Sequence, residues 1–320
     1  MQISNEIQIG IVYGGKSNEA DVSKNSAKEV FNALKNSFKN VSMIELSSTL
    51  PKKLLANKID VVFPLAHGSP GEDGTLQGLL DIMEIPYVGS GVKASACAMN
   101  KLTTKDILRN YNIPLAEDFV LNRSFFSDKI LNKCIAALGE KIVIKPLRSG
   151  SALGVELIDH PVDLKKLLLE KFSFHDSLLI EKKYYGKEIT VGILQVNNKI
   201  TALPVIEIIT PKDSWYDYQH RYTPNYSQHI IPANVSSDTE EKLKALAIKV
   251  HETIDCRDLT RSDFIVTNED KIIFLEVNTI PGMTSTSLYP DAAQAASIPF
   301  KDLVKTLVMG AFKRAYNANQ

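Results

Sequence analysis

Two short apolar runs, each ending in a glycine-rich turn, constrain this chain most. Ile7 to Tyr13 ends in Gly14-Gly15, and Asp60 to Leu65 leads into His67-Gly68-Ser69-Pro70-Gly71-Glu72-Asp73-Gly74. Runs of this length bounded by turn residues read as buried strands of a parallel sheet. A helical pattern follows each of them. Val30, Phe31 and Leu34 share one face, and a second helix is predicted from near Thr75 with Leu76, Leu79 and Leu80. Strand, helix, strand, helix is the signature of an open α/β unit. Ligands of such sheets sit beyond the carboxyl ends of the strands, where both glycine-rich segments fall. The expectation is an N-terminal α/β substrate-binding domain over 1–98.

The pattern changes near residue 98. Lys101 to Tyr111 reads as a helix, and Pro114 punctuates the loop after it. Lys141 to Pro146 reads as a strand. It is followed by a flexible turn from Arg148 to Gly154, a strand through Ile158 and another at Leu178 to Glu181. This is a small central α+β domain, 99–181. Strands are then expected at Ile189 to Leu194 and Lys199 to Ile209. The segment 211–232 exceeds the roughly 12–15 residues of a passive loop. Its aromatics Trp215, Tyr216, Tyr218, Tyr222 and Tyr226 argue for an ordered lid rather than disorder. Ser237-Asp238-Thr239-Glu240 reads as a capping box opening a helix towards Thr253. Strands near Phe264 to Thr267 and Lys271 to Val277, then helices near Ser285 to Ala296 and Phe300 to Tyr316, complete a C-terminal α+β domain, 182–320.

A chain of 320 residues needs more than one core. Lys plus Arg and Asp plus Glu both number 37, so nothing marks a nucleic-acid or membrane-surface partner. The 3 cysteines form no CxxC pair. No leader-like N-terminus and no apolar run near the roughly 20 residues of a membrane span are present. A cytoplasmic protein is expected.

Residues that carry chemistry cluster late in the chain. Glu276 and Asn278 are two apart on a strand and face one side, and Asp263 lies on the strand before them. Such oxygen donors suit magnesium, which takes few carboxylates beside substrate phosphates. Strand-end acids also commonly just face solvent. Arg261 shares a strand face with Asp263, where it either stabilises developing negative charge or forms an ion pair with Asp263 or Glu276. Lys145 ends an apolar strand, and the turn Ser149 to Gly154 offers backbone N–H groups to phosphates. Lys101 starts a helix, where most lysines are merely solvated. Glu181-Lys182-Lys183-Tyr184 with Glu188 frames a nucleoside or forms a charged surface turn. Glu19, His67, Glu72, Ser151 and Tyr222 come from separate segments, and spacing cannot show that they converge.

Taken in order, these motifs resemble the D-alanine–D-alanine ligase family of the ATP-grasp superfamily. The resemblance rests on Gly14-Gly15-Lys16-Ser17-Asn18-Glu19, His67-Gly68 with Gly71 to Gly74, Gly89-Ser90-Gly91, Lys145-Pro146 with Gly150-Ser151, and Tyr216-Asp217-Tyr218. It continues through Arg261-Ser262-Asp263, Glu276-Val277-Asn278-Thr279, Pro281-Gly282-Met283-Thr284 and Ser287-Leu288. It spans nearly the whole chain and implies a three-domain ATP-grasp α/β fold. It also implies ATP-dependent joining of two D-alanine molecules through an acyl phosphate, with two magnesium ions that manganese can replace, and a homodimer. By the resemblance, Asp263, Glu276 and Asn278 are metal ligands. Lys101 and Lys145 hold phosphates. Glu181, Lys182, Tyr184, Glu188 and Leu275 frame the adenosine. Glu19 with His67 holds the first D-alanine, and Ser287 with the Leu288 backbone seats the second carboxylate. Arg261 and the Gly282 N–H stabilise the oxyanion. Ser151 and Tyr222 bond with Glu19, and Arg221 reaches the substrates from the lid.

Four positions depart from the family pattern. Arg221 stands for a lysine, keeping charge but not contact geometry. Ser149 stands for a glutamate, Ile280 for a small polar residue and Asn100 for an aspartate. Ligases with D-lactate or D-serine acceptors are the nearest alternatives, and Tyr222 argues against lactate. A catalytically dead nucleotide-binding regulator is disfavoured by the intact Arg261, Asp263, Glu276 and Asn278. A dinucleotide-dependent oxidoreductase is disfavoured because no GxGxxG follows the first strand.

Overall fold

The computed structural model describes residues 6–159, 163–211, 215–217, 220–221, 223 and 226–318. Among them the strands form three sheets. In the first, β1 (Gln8–Tyr13) lies between β2 (Asn40–Glu45) and β3 (Val61–Pro64), and both pairings are parallel. The central strand is apolar on both faces because both are covered. Ile9 and Ile11 point into one core and Val12 into another. Helices α1 (Ala20–Leu34), α2 (Leu50–Ala56) and α3 (Thr75–Ile82) belong to this unit. Strand β2 escaped the sequence reading. It is an edge strand, mostly half-buried and carrying Asn40 and Ser42, so it shows no continuous apolar run.

Helix α4 (Val92–Met99) leads into α5 (Lys101–Arg109). The second sheet is antiparallel, in the order β4 (Asp118–Asn122), β7 (Ser177–Lys182), β5 (Ile142–Pro146), β6 (Glu156–Ile158). Helices α6 (Asp128–Leu138) and α7 (Leu164–Lys171) complete this unit. Its core includes Leu121, Leu131, Leu138, Ile144, Leu168 and Ile180.

The third sheet is antiparallel and runs β11 (Gln228–Ile230), β10 (Ile206–Ile209), β8 (Gly186–Val196), β12 (Leu259–Thr267), β13 (Ile272–Asn278), with β9 (Lys199–Ala202) also paired to β8. Helices α8 (Ser237–Thr253), α9 (Leu288–Ala295) and α10 (Phe300–Ala318) follow β11 and the last strands. Three expectations need correcting here. The strand expected over Lys199 to Ile209 is two strands, β9 and β10, separated by Leu203-Pro204-Val205; proline has no N–H for the ladder. The cap of α8 is Ser236, one residue earlier than expected, and its Oγ accepts the Thr239 N–H at 3.2 Å. Strand β12 begins at Leu259, so Asp263 lies in mid-strand and Arg261 inside the sheet.

The first and third units share a core. Ile9, Ile11, Val30 and Leu34 pack in one cluster with Leu303, Val304, Leu307 and Val308 of α10. The second unit is tied to β13 through the Phe274 N–H, which donates to the Pro114 carbonyl at 2.7 Å. No helix among the described residues is long and apolar enough to cross a membrane.

Candidate active site

The loops after β1 and β3 are locked together by serines. Ser23 Oγ accepts the Gly14 N–H and donates to the Leu65 carbonyl, both at 2.7 Å. Ser17 Oγ donates to the His67 carbonyl at 2.8 Å. These bonds bring Glu19, at the N-terminus of α1, beside His67, and both are buried. The His67 Nε2 is buried without a hydrogen-bond partner among the described residues. Burial lowers the pKa of this imidazole, and nearby Arg261 lowers it further against the pull of Glu19. The ring is therefore neutral. Glu72 accepts the Gly68 N–H at 3.0 Å. Burial, and then the charge of Glu19, push its carboxyl up to about 8. Sequence reasoning noted Glu72 without giving it a role; only the fold shows it half-buried near a second acid.

The turn after β5 reaches over to this corner. Ser151 Oγ donates to Glu19 Oε1. A Cβ on Gly150 would lie 3.0 Å from Glu19 Oε2, so only glycine passes there without pushing the carboxylate. Ser149 closes the turn through its Oγ, which donates to the Leu153 carbonyl at 2.9 Å, and its own carbonyl accepts Lys101 Nζ at 2.6 Å. Asn100, the departure before Lys101, caps α5 by accepting the Thr103 N–H at 3.2 Å, as an aspartate would.

On the third sheet, Asp263 lies opposite Glu276 and Arg261 opposite Asn278. Arg261 grips Asp263 with two bonds, Nε to Oδ1 at 2.9 Å and Nη2 to Oδ2 at 2.8 Å, and Thr190 Oγ1 adds a third at 2.6 Å. Arg261 thus forms the ion pair with Asp263 that its spacing allowed, and it also lines the cavity. Burial opposes its charge, but Asp263 outweighs that and raises its pKa. Burial likewise favours a neutral Glu276. The cations Lys101, Arg221, Lys145 and Arg261 overcome it and hold the carboxyl at about 2. Lys101 Nζ stands 3.5 Å from Glu276. Asn278 Oδ1 accepts the N–H of Ile280, another departure, at 2.8 Å. Ile280 is buried in the shared core, which accounts for an apolar residue there.

Two connected cavities gather these residues. The first is lined by Glu19, His67, Glu72, Lys101, Ser151, Arg221, Arg261, Glu276, Asn278, Gly282, Ser287 and Leu288. A Cβ on Gly282 would meet Ser287 Oγ at 2.8 Å, so glycine keeps the backbone against Ser287. Leu288 opens α9, and free N–H groups at a helix start favour a carboxylate. The second cavity is larger and is lined by Lys101, Lys145, Glu181, Lys182, Tyr184, Glu188, Asp263, Leu275 and Glu276. Lys101, Tyr216, Arg221 and Glu276 line both and mark the junction. Lys182 and Tyr184 sit on the rim, both bonded to Glu117, at 2.9 and 3.2 Å. Glu188 is raised by burial and accepts the Tyr216 N–H at 3.4 Å. Arg221 stacks 4.7 Å from the centroid of the Tyr216 ring and bonds its carbonyl through Nε at 3.1 Å. Tyr222 and Tyr218 lie outside the described residues. Sequence reasoning missed the junction role of Tyr216, which is 5% exposed, and the buried Lys105. The spacing of Lys105, one turn after Lys101, was the only signal.

Comparison with known proteins gives a consistent result. The model for the D-ala D-ala ligase C-terminus matches residues 107–309, and that for the D-ala D-ala ligase N-terminus matches residues 48–90. The chain is 40% identical to the D-alanine–D-alanine ligase of Desulforamulus reducens, covering 94% of this chain and 97% of that one. It is 39% identical to that of Carboxydothermus hydrogenoformans, covering 95% and 97%. Among solved structures, the D-alanine–D-alanine ligase of Bacillus anthracis complexed with ATP superposes with a TM-score of 0.81 at 28% identity, over 98% of this chain and all of that one.

Proposed function

The chain belongs to the D-alanine–D-alanine ligase family, and from that premise we propose how its two joined cavities divide the work of one reaction. It uses ATP to join two D-alanine molecules into the dipeptide of peptidoglycan precursors. The observation that carries the reading of the site is the junction. Lys101, Glu276 and Arg221 line both a cavity suited to a nucleotide and one suited to an amino acid.

In this reading, adenosine lies against Glu181, Lys182, Tyr184, Glu188 and Leu275, and the phosphates reach Lys145 and Lys101 at the junction. Glu19, beside neutral His67, takes the first ammonium. The first carboxylate then faces the γ-phosphate and displaces ADP to form an acyl phosphate. Ser287 and the Leu288 N–H seat the second carboxylate, so the second amine is aimed at the acyl carbonyl. Arg261 and the Gly282 N–H receive the oxyanion as phosphate leaves. Ser151, bonded to Glu19, ties the phosphate turn to the substrate corner, and Tyr222 is assigned to the same network. Asp263 and Glu276 face each other across two strands with Asn278 on the same face, a hard-oxygen set that fits magnesium or manganese. Two such ions, when bound, supply charge neutralisation on the phosphates. The reading includes a cytoplasmic homodimer with no nucleic-acid or membrane partner.

The test is direct. With D-alanine, ATP and magnesium, dipeptide, ADP and phosphate should appear in equal amounts, and L-alanine should yield none. ADP release without dipeptide, or equal turnover of L-alanine, would overturn the assignment.

A further inference from the structure

Helix α5 presents Lys101, Lys105 and Arg109 at four-residue spacing, hence along one face. Lys101 reaches the junction. Lys105 does not line the nucleotide cavity and is 2% exposed. Its ammonium has three donors and three acceptors around it. It donates to the Ala116 carbonyl at 2.9 Å, pairs with Asp118 at 3.0 Å and bonds Glu181. Asp118 and Glu181 are cross-strand neighbours on β4 and β7. The other oxygen of Glu181 meets Lys145 Nζ at 2.5 Å. Glu181 is thus a buried carboxylate between two lysines, only one of which faces the cleft. Asp118 has Arg109 as a second partner.

We propose that Lys105 is a positioning residue for nucleotide binding, holding Glu181 so that Lys145 is free to serve phosphate. The physical reason is competition for one ammonium. A buried carboxylate left without a counter-ion is costly. Lys145 can turn from Glu181 to a phosphate only if another cation stays with the carboxylate, and Lys105 is that cation. Without it, Glu181 retains Lys145, and a nucleotide must pull the ammonium out of a closed pair. Asp118 would keep Arg109, so the loss of Lys105 falls on Glu181.

The inference rests on reading this cleft as an ATP site, and the experiment separates the two. Trp215, the single tryptophan, lines the cleft and reports ADP or ATP binding by fluorescence without turnover. Lys105→Met should raise the Kd for ADP and the KM for ATP at least tenfold while the KM for D-alanine stays within twofold. Lys105→Gln keeps donors but loses the charge, and should show the same nucleotide-specific loss if the methionine variant folds poorly. In a Glu181→Gln background, adding Lys105→Met should change the Kd for ADP less than twofold. A wild type that binds neither ADP nor ATP would refute the cleft assignment itself. A wild type that binds, with Lys105 variants that bind equally well or lose both substrates alike, would overturn the proposal. So would an undiminished cost of Lys105→Met in the Glu181→Gln background.

Discussion

Glu72 shows how burial sets the state of a single residue. Its carboxyl, pushed up to about 8 by burial and then by Glu19, keeps its proton at neutral pH. The folded value lies above the unfolded one of about 4.3. The stability linked to the bound proton is therefore fully present below about 4.3, declines as pH rises, and is gone above 8. Glu72→Gln mimics the protonated acid and removes this dependence. Its unfolding free energy, from urea melts at several pH values, should gain on the wild type by a few kcal/mol between about pH 5 and 9, because each tenfold difference in proton affinity between folded and unfolded chains is worth about 1.4 kcal/mol. Parallel curves for the two proteins would show that Glu72 ionises normally. This residue marks where the sequence ceased to be legible. Period-2 spacing was enough to put Glu276 and Asn278 on one strand face, and Arg261 with Asp263 on another. The cross-strand register that sets Asp263 opposite Glu276 depends on pairing far along the chain. The burial of Lys105 and the placing of Glu72 near Glu19 depend on segments that spacing does not relate.

Elements were legible where one signal dominated. Strands β1, β3 and β5 and helices α1, α3 and α5 appeared because an apolar run or a clear amphipathic face carried them. Strands β2, β4 and β11 and helices α2, α4, α6 and α7 went unseen. An edge strand with polar residues has no run to read, and helices of 7 and 8 residues leave little room for a period. The cap of α8 shows how one residue can mislead. Ser236 and Ser237 are both good caps by type, and only the backbone decides which stays extended; Ser236 does, with φ −66° and ψ 154°. Ser236→Ala should destabilise the protein by about 1 kcal/mol, and Ser237→Ala by only a few tenths. Thermal melts of both variants under one buffer would check this; a larger shift for Ser237→Ala would return the cap to Ser237, and equal shifts would deny Ser236 a special role.

The whole molecule adds a tie between its ends. Asp258 accepts the Gly89 N–H at 2.7 Å from the first unit and both Arg314 Nη groups, at 2.6 and 3.0 Å, from α10. Arg314 also donates to the Tyr87 carbonyl at 2.9 Å. This cluster explains the Gly89-Ser90-Gly91 motif as a docking segment, set just before the strand that carries Arg261. Asp258→Ala should cost about 1.5–3 kcal/mol, the range for bonds to a charged group. It should also raise the KM for D-alanine severalfold, because Glu19 and His67 lose their fixed height above Arg261, while ADP binding stays unchanged. Loss of ADP affinity together with D-alanine affinity would count against a role confined to this docking. The core shared by α1, β1 and α10 has a consequence for biosynthesis. At ribosomal rates of roughly 5–20 residues per second, the first helix leaves the exit tunnel on the order of tens of seconds before its last partner. Throughout that interval Ile9, Ile11, Val30 and Leu34 have no α10 to cover them. The N-terminal sheet and its first helix therefore leave the ribosome with one apolar face open, and that face closes only when the last helix docks.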